Sequence, residues 1–275
     1  MLKGMIVKNI SDTYTVKVDS KLYDCKARGK FRNNGLTPLV GDWVEFDEVN
    51  CYILDIEKRK NSLLRPSISN VDIALIITSV KSPDLSLYLL DKQICNISLM
   101  GIEPVICFTK LDLLSEDEKK ELVGIKSYYE SIGYQIFTNE RLDLLKEYLK
   151  GKIVVLTGQT GAGKSSLLNA LDGSLKLKVG EISKALGRGK HTTRHTEFFM
   201  VDEILIADTP GFSALDLSSF SREEIRDSFV EFRQETCEFR DCMHIKEQNC
   251  EVKKRVKEGK IKQSRYDNYC LFVAK

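Results

Sequence analysis

Residues 1 to about 66 run as short stretches in which apolar and polar side chains alternate, as in TYTVKVDS (13–20) and DWVEFDEV (42–49), broken by Gly, Asn and Pro. Period-two alternation turns one face of each strand to a core and the other to water, so this part predicts a small antiparallel barrel. From residue 70 the texture changes. Apolar runs, NVDIALIITSV (70–80), EPVICFTK (103–110), KIVVLTG (152–158) and EILIADT (203–209), alternate with helical segments such as DLSLYLLDKQICNISLM (84–100) and EDEKKELVGIKSYYESI (116–132). Strands apolar on both faces need helices on both, which predicts a parallel sheet and an α/β domain. After DTPGF (208–212) the strand-like runs stop, and 221–275 reads as mainly helical. The expected organisation is 1–66, 67–220 and 221–275, with no internal repeat.

Composition narrows the classes. With 275 residues, 42% of them hydrophobic, the chain can bury real cores, and Lys+Arg 42 against Asp+Glu 40 leaves it nearly neutral. Nucleic-acid affinity therefore has to come from local basic patches. No run reaches membrane-span length and the polar start MLKGMIVKNISD lacks a signal-peptide core, so a cytoplasmic protein is expected. Of eight cysteines, Cys237, Cys242 and Cys250 cluster while the others are scattered. In a reducing compartment this reads as a metal site plus buried thiols.

Three motifs carry chemistry. GQTGAGKS (158–165) fits G-x-x-x-x-G-K-[ST] between an apolar strand and the helix-like SSLLNAL, the context the pattern requires. Amides of Gly158, Gln159, Thr160, Gly161, Ala162 and Gly163 would cradle phosphates together with the helix start at Ser166. Lys164 would reach the β/γ-phosphates and Ser165 would ligate Mg²⁺. Thr109-Lys110-Leu111-Asp112 has the shape of the Asn-Lys-x-Asp guanine-reading element, at the carboxyl end of a strand where α/β sheets bind ligands. Asp112 can accept from guanine's ring N–H and exocyclic amine, a donor pair adenine cannot present, and Lys110 would lay its stem along the base. Thr109 stands where Asn is usual; one hydroxyl offers less than an amide, so a weaker contact to base or P-loop is expected. In DTPG (208–211), Asp208 would hold Mg²⁺ and the Gly211 amide would meet the γ-phosphate. Phe212 follows where Ras-like GTPases carry a water-orienting Gln, and an apolar side chain cannot do that. GRGKHTTRH (187–195) reads as switch I, with Thr192 or Thr193 closing on Mg²⁺ and His191 either solvated or positioning water.

The order base motif, P-loop, switch I, DTPG is a circular permutation. It is expected to work by joining the old termini through LKEYLKGK (145–152), and it leads switch II directly into the C-terminal region. That region holds Cys237-x₄-Cys242-x-His244-x₅-Cys250, three thiolates and an imidazole suited to one structural tetrahedral Zn²⁺. Downstream, Lys253, Lys254, Arg255, Lys257, Lys260, Lys262 and Arg265 suggest an RNA-backbone surface. In KARGKFRNNG (26–35), Phe31 among Lys26, Arg28, Lys30 and Arg32 suggests base stacking on an OB-fold.

On NVDIALIITS, FTKLD, GQTGAGKSSLLNAL, GRGKHTTRH, DTPGF and CEFRDCMHIKEQNCEVKKRVKEGKIKQSRYDNY, nearly the whole chain resembles the small ribosomal subunit biogenesis GTPase RsgA family, also called YjeQ or YloQ. The resemblance implies an α/β, circularly permuted P-loop GTPase domain with an N-terminal OB-fold β-barrel and a C-terminal mainly helical zinc-binding domain. It further implies a monomer that hydrolyses GTP to GDP as a late assembly factor, stimulated by the small ribosomal subunit and contacting its rRNA. The family's catalytic histidine falls on His191. This chain has Thr109 for the usual Asn, and Thr-Asn at 138–139 for the Ser-Ala of the loop behind the base. Two rival classes are a GTPase of another pathway and a non-enzymatic RNA-binding protein with a degenerate nucleotide site. Intact Lys164, Ser165 and Asp208 speak against the second.

Overall fold

The computed structural model describes residues 1–29, 31, 36–63, 67–175, 195–201, 203–207 and 216–274. Five strands, β1 (Leu2–Ile10), β2 (Thr13–Val18), β3 (Lys21–Ala27), β4 (Trp43–Asp47) and β5 (Tyr52–Ile56), form the first module. Their order β1-β2-β3-β5-β4 closes because β4 also pairs with β1, and β3 pairs in parallel with β5. A closed five-stranded barrel of this kind is OB-like. The alternation read from the sequence is its cause: Tyr14 and Val16 on β2, and Val44 and Phe46 on β4, point inward and are buried. Closure brings strands close at Gly4, where a Cβ would meet Val16 Cγ1 at 2.6 Å and the Lys17 carbonyl at 2.7 Å. A short hairpin, β6 (Ser62–Leu63) with β7 (Ile68–Ser69), docks on the barrel through Asp42, which is fully buried. Asp42 accepts from Arg59 Nε at 2.8 Å and Ser69 Oγ at 2.6 Å.

The α/β module follows: β8 (Ile73–Ser79), α1 (Leu87–Leu99), β9 (Glu103–Thr109), α2 (Glu116–Ser131), β10 (Gln135–Thr138), α3 (Leu142–Leu149), β11 (Ile153–Thr157), α4 (Lys164–Leu171), β12 (His195–Val201) and β13 (Ile204–Ala207). Strands β10-β9-β8-β11-β13 are parallel, and β12 adds antiparallel to β13. Alternate residues of β8 serve the two faces. Ala74 and Ile76 pack with Leu90 and Ile94 of α1, while Ile73, Leu75 and Ile77 pack with Leu145 and Leu149 of α3 and Leu167, Leu168 and Leu171 of α4. Helix α2 starts where its sequence says it should: Ser115 and Glu118 form a capping box, and Glu116, Asp117 and Glu118 sit at the positive end of the helix dipole. The stretch expected to join the old termini is the second half of α3 with its exit. Leu145 and Leu149, four residues apart, pin it to the sheet.

Barrel and α/β module share one sheet. Strand β1 pairs antiparallel with β12 through Lys8↔Glu197, Asn9↔Thr196 and Ile10↔His195, giving eleven continuous strands. Lys8 Nζ also reaches Glu197 Oε1 at 3.1 Å.

The C-terminal module has α5 (Arg222–Ser228), α6 (Glu251–Lys257) and α7 (Gln263–Val273), and among the described residues no strand follows β13. Its core of Ile225, Phe229, Phe232, Val252, Ile261, Tyr269 and Phe272 also takes in Cys95 of α1. The module therefore packs on α1. No described helix is long and apolar enough to cross a membrane.

Candidate functional site: a nucleotide cradle and a metal centre

The P-loop joins β11 to α4 with the geometry its glycines permit. Gly158 has φ +135° and sits so close to β8 that a Cβ would lie 2.1 Å from the Ile77 carbonyl oxygen; no other residue fits there. Gly163, at φ 91°, precedes α4 and gives it no side-chain cap, so the first amides of the helix face the loop free to bind an anion. Lys164 Nζ turns back onto the carbonyls of Gly158 at 2.6 Å and Gln159 at 2.7 Å. Burial lowers its pKa, as expected for an ammonium whose anionic partner is a ligand and not a protein carboxylate. Ser165 is buried beside it. A glycine-rich loop, free helix amides and a half-buried lysine fit a nucleotide's phosphates, with Ser165 as the described residue able to meet their Mg²⁺.

Thr109-Lys110-Leu111-Asp112, the stretch expected to read the base, lies beside this loop. Thr109 ends β9, the neighbour of β8, which lies next to β11, and its Oγ1 donates to the Ala162 carbonyl at 2.7 Å. The hydroxyl expected to make a weaker contact thus holds the base loop directly to the P-loop. Lys110 follows with φ 63°, ψ 34°, its Nζ donating to the Ser82 carbonyl across the same end of the sheet. Asp112, on the 3₁₀ turn Leu111–Leu113, is exposed to receive a base. Behind it Thr138 ends β10, and the Asn139 amide donates to Phe108 O at 3.0 Å while its side-chain Oδ1 is buried without a partner among the described residues. His191, Thr192, Thr193, Asp208, Gly211 and Phe212 lie outside the described residues.

In the C-terminal module the four expected ligands do converge. The donor atoms of Cys237, Cys242, His244 and Cys250 all lie within 4.8 Å of one another. His244 Nδ1 stands 3.5 Å from Cys237 Sγ and 3.3 Å from Cys250 Sγ, and those two sulfurs are 3.9 Å apart. Zinc bonds of about 2.3 Å to sulfur and about 2.0–2.1 Å to nitrogen give tetrahedral edges of about 3.5–3.8 Å, so the set fits the ion. Burial pushes the Cys242 thiol up to about 12, so its sulfur becomes a thiolate when a cation takes the place of its proton. Sequence reasoning missed the groups that shape the loop. Glu247 accepts from the amides of Met243 and Ile245, each at 2.9 Å, while Tyr266 and Tyr269 donate to the carbonyls of His244 and Met243. Protein purified without chelator is expected to carry one zinc per chain by elemental analysis. Cys242→Ser should lose it and raise amide exchange over 237–250 while the α/β module keeps its fold.

Two expectations are corrected. Phe31 is only 4% exposed and its ring belongs to the barrel core, so it cannot stack on bases. The turn closed by Phe31 N–H to Arg28 O at 3.1 Å accompanies this inward placement, while Lys26 and Arg28 stay outside and Lys30 and Arg32 lie outside the described residues. Arg265, counted with the basic run, is 1% exposed and bound to Asp91 and Glu231. Much of the remaining run is neutralised within the module: Arg255 by Glu235, Glu251 and Glu258, Lys254 by Glu251, and Lys260 by Glu258.

Comparison with known proteins agrees with this geometry. The RsgA GTPase family model matches residues 56–218 and the RsgA N-terminal domain model residues 3–51. The chain is 46% identical to the small ribosomal subunit biogenesis GTPase RsgA 2 of Oceanobacillus iheyensis, covering 99% of this chain and 97% of that one. It is 47% identical to the small ribosomal subunit biogenesis GTPase RsgA of Limosilactobacillus fermentum, over 99% of this chain and 96% of that one. The crystal structure of YloQ, a circularly permuted GTPase, superposes with TM-score 0.85 at 35% identity, covering 100% of this chain and 94% of its own. YjeQ from Thermotoga maritima gives 0.85 at 35% identity over 98% and 96%. With the Thr109–Asp112 stretch preceding the P-loop to which Thr109 binds it, and family models matching over both N-terminal modules, the chain belongs to the RsgA GTPase family.

Proposed function

We propose that the chain binds GTP with Mg²⁺ and hydrolyses it to GDP and phosphate as an assembly factor of the small ribosomal subunit. The observation that carries the reading is the Thr109 to Ala162 hydrogen bond, which holds the Thr109–Asp112 stretch beside the glycine-rich loop at one end of the sheet. The names of the full-length relatives, small ribosomal subunit biogenesis GTPases, support the ribosomal side of it. In this reading Lys110 and Asp112 hold the base, Gly158 to Ser166 hold the phosphates, and Ser165 and Asp208 hold Mg²⁺ with Thr192 or Thr193. Gly211 meets the γ-phosphate and His191 positions the attacking water. Cys237, Cys242, His244 and Cys250 hold one structural zinc. The modules divide as 1–66, 67–220 and 221–275, the protein works as a cytoplasmic monomer, and the first and last modules contact rRNA.

Base choice gives the direct test. Asp112→Asn replaces an acceptor of guanine's two N–H donors by an amide that can donate to the C2 oxygen of xanthine. GTP binding should fall by about two orders of magnitude or more and XTP binding should rise. An unchanged order of nucleotide affinities would remove Asp112 from the site.

A further inference from the structure

Helix α1 lies between the two halves of the machine, and its buried polar residues face opposite ways. Asp91, with no exposure at all, accepts from Arg265 Nη1 at 2.8 Å and Asn268 Nδ2 at 2.6 Å, both on α7 of the zinc module. The Tyr129 hydroxyl of α2 also donates to it. Two residues further on, about 200° around the helix, Gln93 is 4% exposed and its Nε2 donates to Thr157 Oγ1 at 3.3 Å. Thr157 is the last residue of β11, next to Gly158 of the P-loop. An amide in this position costs desolvation that a leucine would not, and its hydrogen bond is aimed at the residue that leads into the phosphate cradle.

We propose that α1 is the strut through which docking of the zinc module sets the P-loop, with Gln93 as the positioning residue. The path is short and tightly packed. Asp91 fixes α1 against α7, and Gln93 fixes α1 against Thr157. The next residue, Gly158, is wedged against the Ile77 carbonyl and holds Lys164 Nζ on its own carbonyl. Gly158 has no room to yield against the Ile77 carbonyl, so a shift of α1 passed on through Thr157 is carried to the loop that holds Lys164. The zinc module therefore acts on the nucleotide site from behind, by a route separate from the chain connection through residues 208–215. The proposal rests on the nucleotide-binding reading of the P-loop.

The test is labelled-GDP binding to the full-length chain in a double-mutant cycle. Asn268→Ala removes one Asp91 contact from the zinc-module side and should weaken GDP about threefold. Gln93→Leu, which cuts the strut at the other end, should weaken it about fivefold, and in that background Asn268→Ala should have no further effect. Thr157→Val should behave like Gln93→Leu, whereas Thr157→Ser, which keeps the hydroxyl, should restore wild-type affinity within about twofold. Zinc stoichiometry checks that each variant is folded, and Arg265→Lys replaces Asn268→Ala should the latter lose its zinc. A purely structural role for Gln93 would lower thermal stability yet leave the two effects additive, and additivity overturns the strut. Failure of the wild-type chain to bind GDP at all would overturn the nucleotide reading on which it rests.

Discussion

Arg265→Met is expected to release α7 from α1, raising amide exchange across Gln263–Val273 by about two to three orders of magnitude or more. The guanidinium is fully inside the protein, donating to Glu231 through Nε at 2.7 Å and Nη2 at 3.0 Å and to Asp91 through Nη1 at 2.8 Å. Burial alone would lower its pKa, but the charges of Asp91 and Glu231 outweigh that and hold it well above the usual guanidinium value. It also lies over the Phe229 ring, 4.5 Å from its centroid. Removing the cation leaves two carboxylates buried without it, a loss of about 3–5 kcal/mol. Replacing Asp91, Glu231 and Arg265 together by apolar residues of similar volume removes the stranded charges as well and should return much of that stability. A single variant as stable as the wild type would mean that the three charges are not sequestered together.

The contrast between that network and the motifs shows what a sequence discloses. Glycine and phosphate chemistry leave a local signature, because Gly158, Gly163, Lys164 and Ser165 must lie on one short loop and the helix start that follows it to shape a cradle. The same holds for three cysteines and a histidine brought together on one short loop. Apolar runs disclosed β8, β9, β11 and β13, since a strand buried on both faces has no polar alternation to confuse it with a surface strand. Strand β12 went unread because its HTEFFMV pairs on one side with β13 and on the other with a strand nearly 190 residues earlier, and β10 is only four residues long. Asp91 and Gln93 look like ordinary polar positions on an amphipathic helix. Their partners Arg265 and Thr157 stand 174 and 64 residues away, so nothing local marks them as buried. The basic run misled for the same reason. A string of Lys and Arg gives charge but not direction, and here α7 turns Arg265 inward while α6 pairs Arg255 with Glu235.

The isolated protein is expected to turn over GTP slowly, with small ribosomal subunits raising kcat strongly and His191→Ala removing most of the gain while leaving GTP affinity nearly unchanged. Phe212 is expected at the position where Ras-like GTPases orient water; its side chain has no group to hold water, so the task would fall to another residue that a partner places. His191 stands four positions before β12, and β12 is held between β13 and the barrel strand β1. A surface that grips the barrel therefore acts on a strand paired with the exit of the segment carrying His191, Thr192 and Thr193. The C-terminal module, docked on α1, offers a second grip. Positioning a general base or water-orienting group contributes about 10²–10⁴ in rate, and this sets the loss expected for His191→Ala in the stimulated reaction. Single-turnover hydrolysis with and without purified subunits, for wild type and variant, separates the possibilities. Equal stimulated rates would take the histidine out of the mechanism, and no stimulation of the wild type would remove the small subunit as the partner that completes the site.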